Sequence, residues 1–181
     1  MLKKRDFPYI FITWISKLLT GEQTCKWVAQ LKSHHYANSI PSVPSTIDFA
    51  KWNIEHTQLL HKTRKKLLSD WTEIFLESQN WFNLGERGKN VATLSGKPDI
   101  VAVSGNKGLV IDVKAAKVSD SHVAQVMIYM YALPLALPQF KDVSFDGKVV
   151  YQNGQEVFIE SSKVDSGFRE KLGDLIKELS S

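Results

Sequence analysis

The residues best suited to chemistry lie in two short stretches, Gly96-Lys97-Pro98-Asp99-Ile100-Val101 and Val110-Ile111-Asp112-Val113-Lys114. Each reads as an apolar strand that carries charge. Side chains alternate faces along a strand, so Val110, Asp112 and Lys114 share one face, with Asp112 and Lys114 about 6.7 Å apart. Leu109, Ile111 and Val113 fill the other face and are expected to pack on a helix. Between the stretches, Gly105-Asn106-Lys107-Gly108 reads as a tight turn. That turn makes the strands antiparallel neighbours and lets Asp99 approach Asp112. Two carboxylates so close repel unless a cation lies between them. Oxygen ligands suit a hard divalent ion, Mg²⁺ or Mn²⁺. Such an ion could activate water and neutralise charge on a phosphodiester. Lys114 would orient or deprotonate that water, or stabilise the transition state. The plainer alternative is an Asp–Lys ion pair on an exposed sheet face. Apolar neighbours and a hairpin-compatible interval favour the site.

The elements that must position these groups follow from periodicity and punctuation. Residues 9–35 read as two helical pieces broken near Thr20-Gly21, followed by a loop from Ala37 to Ser45. Ser45, with Asp48 three residues on, reads as the cap of a long helix reaching about Asp70. Thr72 to Leu84 reads as strand and Gly85 to Lys89 as a turn. Val91 to Val103 reads as a second extended region bent at Gly96-Lys97-Pro98, and Leu109 to Ala115 as a third strand. Ser121 opens a helix ending near Pro134. Lys148 to Gln152 and Gln155 to Ile159 form a hairpin about Asn153-Gly154, and Asp165 starts an amphipathic helix to about Leu179. The order implies one α/β domain over residues 1–181, a central mixed sheet flanked by helices. Residues 1–45 form a helical N-terminal section, 46–160 the core and 165–181 a C-terminal helix.

Two helices carry further candidates. Val123 to Leu133 is apolar nearly all round, which implies burial. Gln125 and Tyr129 lie one turn apart on it, and a buried Gln needs partners. They are either a structural polar pair or part of a site. On the long helix, Trp52, His56, Leu59, Thr63 and Leu67 fall on one stripe, so His56 points inward and His61 outward. His56 is either a hydrogen-bonded core histidine or a ligand.

The chain has 181 residues, 43% hydrophobic and 23% charged, which excludes disorder over most of its length. Lys and Arg number 23 against 19 acids, for a net charge of +4, which permits a polyanionic partner without requiring one. The single cysteine, Cys25, excludes an intramolecular disulfide, a zinc finger and a four-cysteine iron–sulfur cluster. It is expected to be a small buried apolar residue in a reducing, cytoplasmic protein. Lys3-Lys4-Arg5 ahead of Phe7–Leu19 loosely imitates a secretory signal, but Asp6, Pro8, Trp14 and Lys17 interrupt it. The stretch is too short to span a membrane.

Pro98-Asp99 followed by Asp112-Val113-Lys114 resembles the PD-(D/E)xK nuclease superfamily. Gln125-Val126-Met127-Ile128-Tyr129 resembles the Gln-x-x-x-Tyr motif of its RecB-like branch, which includes CRISPR-associated RecB-like nucleases and the nuclease domains of bacterial recombination enzymes. The resemblance covers about residues 46–133. It implies a restriction-endonuclease-like core and a Mg²⁺- or Mn²⁺-dependent deoxyribonuclease. The substrate would be single- or double-stranded DNA in repair, recombination or defence, with a helicase or recombination enzyme as a candidate partner. Asp99 and Asp112 would bind metal, helped by His56 and the Val113 backbone carbonyl. Lys114 would assist the nucleophile, and Gln125 and Tyr129 would shape the site. Some members carry a glutamate on the first strand, which makes Glu77 a further candidate, with Glu73 behind it. No iron–sulfur cluster is expected, so packing of the last helix on the first two must join the chain's ends. A non-catalytic DNA-binding module, a subunit active only with its partner, and an RNA nuclease are the alternatives.

Other features are set aside. Lys62, Arg64, Lys65 and Lys66 read as a solvated helix face. Residues 85–90 lack the spacing of a phosphate loop. Trp14, Trp27, Trp71 and Trp81 could stack on bases, but most are expected in the core.

Overall fold

The computed structural model describes residues 2–41, 48–85 and 92–181. In chain order its elements are β1 (Tyr9–Phe11), α1 (Ile12–Thr20), α2 (Lys26–His34), α3 (Phe49–Leu67), β2 (Glu73–Leu76), β3 (Phe82–Leu84), β4 (Thr93–Gly96) and β5 (Ile100–Ser104). They continue with β6 (Lys107–Lys114), α4 (Asp120–Ala136), β7 (Ser144–Tyr151), β8 (Glu156–Ile159) and α5 (Ser166–Ser180). The class is α/β.

The alternation seen in residues 100–114 sets the layers. β5 and β6 are antiparallel with Ile100 opposite Ile111 and Val101 opposite Val110. They lie inside a five-stranded mixed sheet ordered β2-β5-β6-β7-β8. On one face Ile100, Ala102, Leu109, Ile111 and Val113 pack against Leu60 and Leu67 of α3. This is the helix contact expected for that face. On the other, Val101, Val103, Val110 and Val149 pack against Val126 and Met130 of α4. Within this sheet β6 and β7 pair in parallel, and α4 is the crossover that such a connection requires.

Several boundaries differ from expectation. Residues 9–11 are a strand, β1, not the start of a helix, so the N-terminal section is not wholly helical. The apolar run there serves β-pairing because β4 offers an open edge to Tyr9, Ile10 and Phe11 in parallel register. The stretch 72–84 is not one strand. It divides into β2, a 3₁₀ turn at Glu77–Asn80, and β3, which joins a separate sheet ordered β1-β4-β3. The second extended region splits likewise at Lys97-Pro98-Asp99, with β4 in one sheet and β5 in the other. Asp48 caps α3 by accepting from the Lys51 amide at 3.0 Å, and the helix ends at Leu67. The expected cap Ser45, the turn at 86–89 and the strand start at Val91 lie outside the described residues. Cys25 is exposed at the N-cap of α2, not buried.

The last helix packs on the first two. Ser33 Oγ on α2 donates to the Leu179 carbonyl, and Lys171 Nζ on α5 donates to the Leu19 carbonyl. Leu172, Leu175 and Leu179 join Ile12, Ile15 and Leu19 in one core with α4. Among the described residues no helix is long and apolar enough to cross a membrane.

Candidate functional site

Extending the β5–β6 register by one residue sets Asp99 opposite Asp112. Both carboxylates therefore emerge on the α4 face, at the end of the sheet where β5 begins. Asp99 is 8% exposed and accepts a 2.7 Å hydrogen bond through Oδ2 from the Val113 amide. The N–H and C=O of one extended residue point to the same side, so the Val113 carbonyl is also directed toward this end of β5. Burial, and then the Asp112 charge, push the Asp99 carboxyl from 3.8 up to about 8.

Lys114 Nζ lies 2.7 Å from Asp112 Oδ2, an ion pair in which the carboxylate is almost wholly buried. Burial alone would lower the Lys114 ammonium. The carboxylates of Asp112 and Asp99 outweigh it and hold the group above its usual range. Gln125, buried on α4, connects the other groups. Its Nε2 donates to Asp112 Oδ1 at 3.1 Å and to the Tyr129 hydroxyl at 3.0 Å, while its Oε1 accepts from Lys114 Nζ at 3.3 Å. Burial and the nearby Asp112 charge hold the Tyr129 phenol well above its usual range, so it stays neutral. The one-turn spacing of Gln125 and Tyr129 thus serves the charged pair on β6.

α3 crosses the opposite face of the sheet, and its first half overhangs the same end. His56 Nε2 comes within 3.6 Å of Asp99 Oδ1 and 3.7 Å of Glu77 Oε1. One ligand atom from each of His56, Glu77 and Asp99 lies within 4.8 Å of the others, a spacing that could hold a metal ion. Asp112 lies outside this group, with Lys114 Nζ against its Oδ2 and Gln125 Nε2 donating to its Oδ1. Glu77 is not on the first strand as expected. It opens the turn after β2 with φ of 29°, in the left-handed region that costs a non-glycine residue of order 1–3 kcal/mol. Three hydrogen bonds hold it there. The Glu77 amide donates to the Asp99 carbonyl at 2.9 Å, and buried Asn80 Nδ2 donates to the carbonyls of Phe75 and Pro98 at 3.1 and 3.2 Å. Glu73 is exposed on β2 and takes no part.

These groups open into a cleft of about 490 Å³, lined also by Trp52, Trp81, Phe11 and Lys97. Sequence reading missed Lys97 and Asn80. Lys97 had a signal, since it lies two residues from Asp99; Asn80 had none, because its role depends on a turn. Sequence reading also placed most tryptophans in the core, whereas Trp27 and Trp81 are exposed and Trp14 and Trp71 are half-buried. Trp52 shares the His56 stripe as expected, but it stacks on the imidazole at 5.0 Å with 43% exposure.

Close approach at β4 completes the wall. A Cβ on Gly96 would fall 2.6 Å from Tyr129 Cε1 and 2.6 Å from Ile12 Cδ1. The bare backbone there lets Tyr129 reach Gln125. Glu22, another residue the sequence did not single out, anchors the start of α4. Its carboxylate accepts from Ser119 Oγ, from the Ser121 amide at 3.0 Å and from Ser121 Oγ at 2.8 Å.

No family model and no curated protein matches this chain. Among solved structures, the crystal structure of SSO0001 is similar over 94% of this chain and 78% of that chain, with 17% identity and a TM-score of 0.45. So distant a likeness carries no function across.

Proposed function

We propose that this chain is a divalent-metal-dependent nuclease with a restriction-endonuclease-like core, similar to the RecB-like branch, and that it hydrolyses DNA phosphodiesters. The observation that carries this reading is the convergence of His56, Glu77 and Asp99 beside the Asp112–Lys114 pair in one cleft. The residues fit a hard cation. The donor set is carboxylate oxygen and imidazole nitrogen, and the Asp112 charge disfavours ionisation of Asp99 without a cation. His56, Glu77, Asp99 and Asp112 would hold the ion, with the Val113 carbonyl directed to the same place. When bound, Mg²⁺ or Mn²⁺ supplies Lewis acidity at a phosphate and lowers the pKa of water.

The protein's own groups divide the remaining work. Lys114, held above its usual pKa, is an ammonium at neutral pH. In that form it would stabilise negative charge developing on the phosphate. Gln125 fixes its direction by accepting from Nζ while tying down Asp112 Oδ1. Tyr129, kept neutral, locks the Gln125 amide in one orientation. Preorganised donors of this kind cost no rearrangement during reaction.

The test is cleavage of single-stranded DNA, double-stranded DNA and RNA with Mg²⁺ or Mn²⁺ and with EDTA, alongside Lys114→Ala. The expected result is metal-dependent DNA cleavage that falls by about 100-fold or more in Lys114→Ala, the usual effect of removing one transition-state donor. Cleavage that persists in EDTA, or an unchanged rate in Lys114→Ala, refutes the mechanism.

A further inference from the structure

Two indoles stand on the walls of the same cleft with nearly half their surface in solvent, Trp52 at 43% and Trp81 at 45%. Both positions are held. Trp52 lies flat on His56, its ring 16° from parallel, and keeps 43% of its surface in solvent. Trp81 follows the Glu77–Asn80 turn and is braced edge-on by Phe11, 6.3 Å away, which is itself braced by Trp14 at 5.0 Å. Exposed indoles lose the burial free energy that an aromatic side chain normally contributes. Here both indoles line the cleft that holds the charged cluster, together with Lys97, which is itself 4.0 Å from Glu77.

We propose that Trp52 and Trp81 hold an unpaired nucleobase, which places the adjoining phosphate of the same strand at Asp99, Asp112 and Lys114; this rests on the nuclease reading above. Every base has a π face, so stacking on a planar side chain grips a strand regardless of sequence. A base within a duplex has both faces covered by its neighbours and offers none to the indoles. The cleft volume is within the range of sites for small organic groups. Lys97 lines the same cleft and offers positive charge to a phosphate. The occupant is therefore a flexible or unpaired segment of nucleic acid, and the tryptophans are binding residues that contribute to substrate choice.

The experiment measures binding by fluorescence anisotropy at fixed salt, with and without Mn²⁺. The probes are a labelled single-stranded oligonucleotide, an abasic strand of the same length and charge, and a blunt duplex. The wild-type protein is expected to bind the base-bearing strand about tenfold or more tightly than the abasic one. Trp81→Ala is expected to erase that preference and Trp81→Phe to keep most of it, while Trp27→Ala, exposed on α2 outside the cleft, leaves it intact. Trp52→Ala also uncovers His56, so Trp81 decides. Equal affinity for abasic and base-bearing strands, no binding at all, or a preference that survives Trp81→Ala overturns the proposal. Base-dependent binding without cleavage under any metal would sink the nuclease reading alone. Metal-dependent cleavage with base-independent binding would sink the stacking pair alone.

Discussion

Replacing Asp99 by Asn should make the metal-free protein more stable while removing its metal response. In the fold the Asp99 carboxyl is raised from 3.8 to about 8, by burial and then by Asp112. Between those values the native state keeps a proton that the unfolded chain releases, so this group lowers stability progressively as pH rises from about 4 to about 8. A tenfold change in proton affinity corresponds to about 1.4 kcal/mol, but relaxation and water reduce what is realised at a buried pair, leaving on the order of 2 kcal/mol near pH 8. Asn carries no charge and keeps an acceptor for the Val113 amide, which now donates to Asp99 Oδ2. Asp99→Asn should therefore melt about 4–8 °C above the wild type at pH 8, since about 1 kcal/mol moves a domain of this size by about 2–4 °C. The difference should shrink toward pH 5. Thermal melts at several pH values, with and without Mn²⁺, measure it. The wild type should gain stability from Mn²⁺ and Asp99→Asn should not. A variant less stable than the wild type at pH 8 without metal, or a difference that does not change between pH 5 and pH 8, would refute the reasoning.

Two further outcomes follow from contacts around the site. Gly96→Ala should cost about 1–3 kcal/mol in a denaturant melt, because its Cβ meets Tyr129 and Ile12 at 2.6 Å. It should also lower DNA cleavage by displacing Tyr129 from Gln125. Glu22, held at about 2 by hydrogen bonds from Ser119 and Ser121, contributes stability above its usual value of 4.5 that is lost as pH falls toward 2. Glu22→Gln should flatten that part of the acid-unfolding curve, by less than about 1 kcal/mol because the carboxylate is exposed and screened by solvent.

Much of the site was legible because its relations are local. The two-residue interval from Asp112 to Lys114 places both on one strand face whatever surrounds them. The four-residue interval from Gln125 to Tyr129 does the same on a helix, and helical phase alone turned His56 inward and His61 outward. The short turn at Gly105-Asn106 was enough to set Asp99 against Asp112, because antiparallel register follows from the turn. Glu77 was harder. Strand periodicity around Ile74 and Leu76 carries through it, and the ties that bend the chain there include the Glu77 amide to the Asp99 carbonyl and Asn80 to Pro98, 18 residues away. The short strand β1 was hidden for a similar reason. Its residues read as helix in isolation, and an available edge on β4 changed the outcome.

The sequence by itself determined that Asp112 and Lys114 share one strand face and that Gln125 and Tyr129 share one helix face, since faces and periods are set by covalent geometry; the packing of α3 and α4 assigned each sheet face to its helix. Only the tertiary structure decided that His56, Glu77 and Asp99 meet as one group while Asp112 is held by Lys114 and Gln125. Those distances depend on where α3 and the turn after β2 come to rest on the end of the sheet. The same is true of Trp52 and Trp81. Their exposure and their shared cleft arise from packing between elements distant in sequence, which no local spacing encodes.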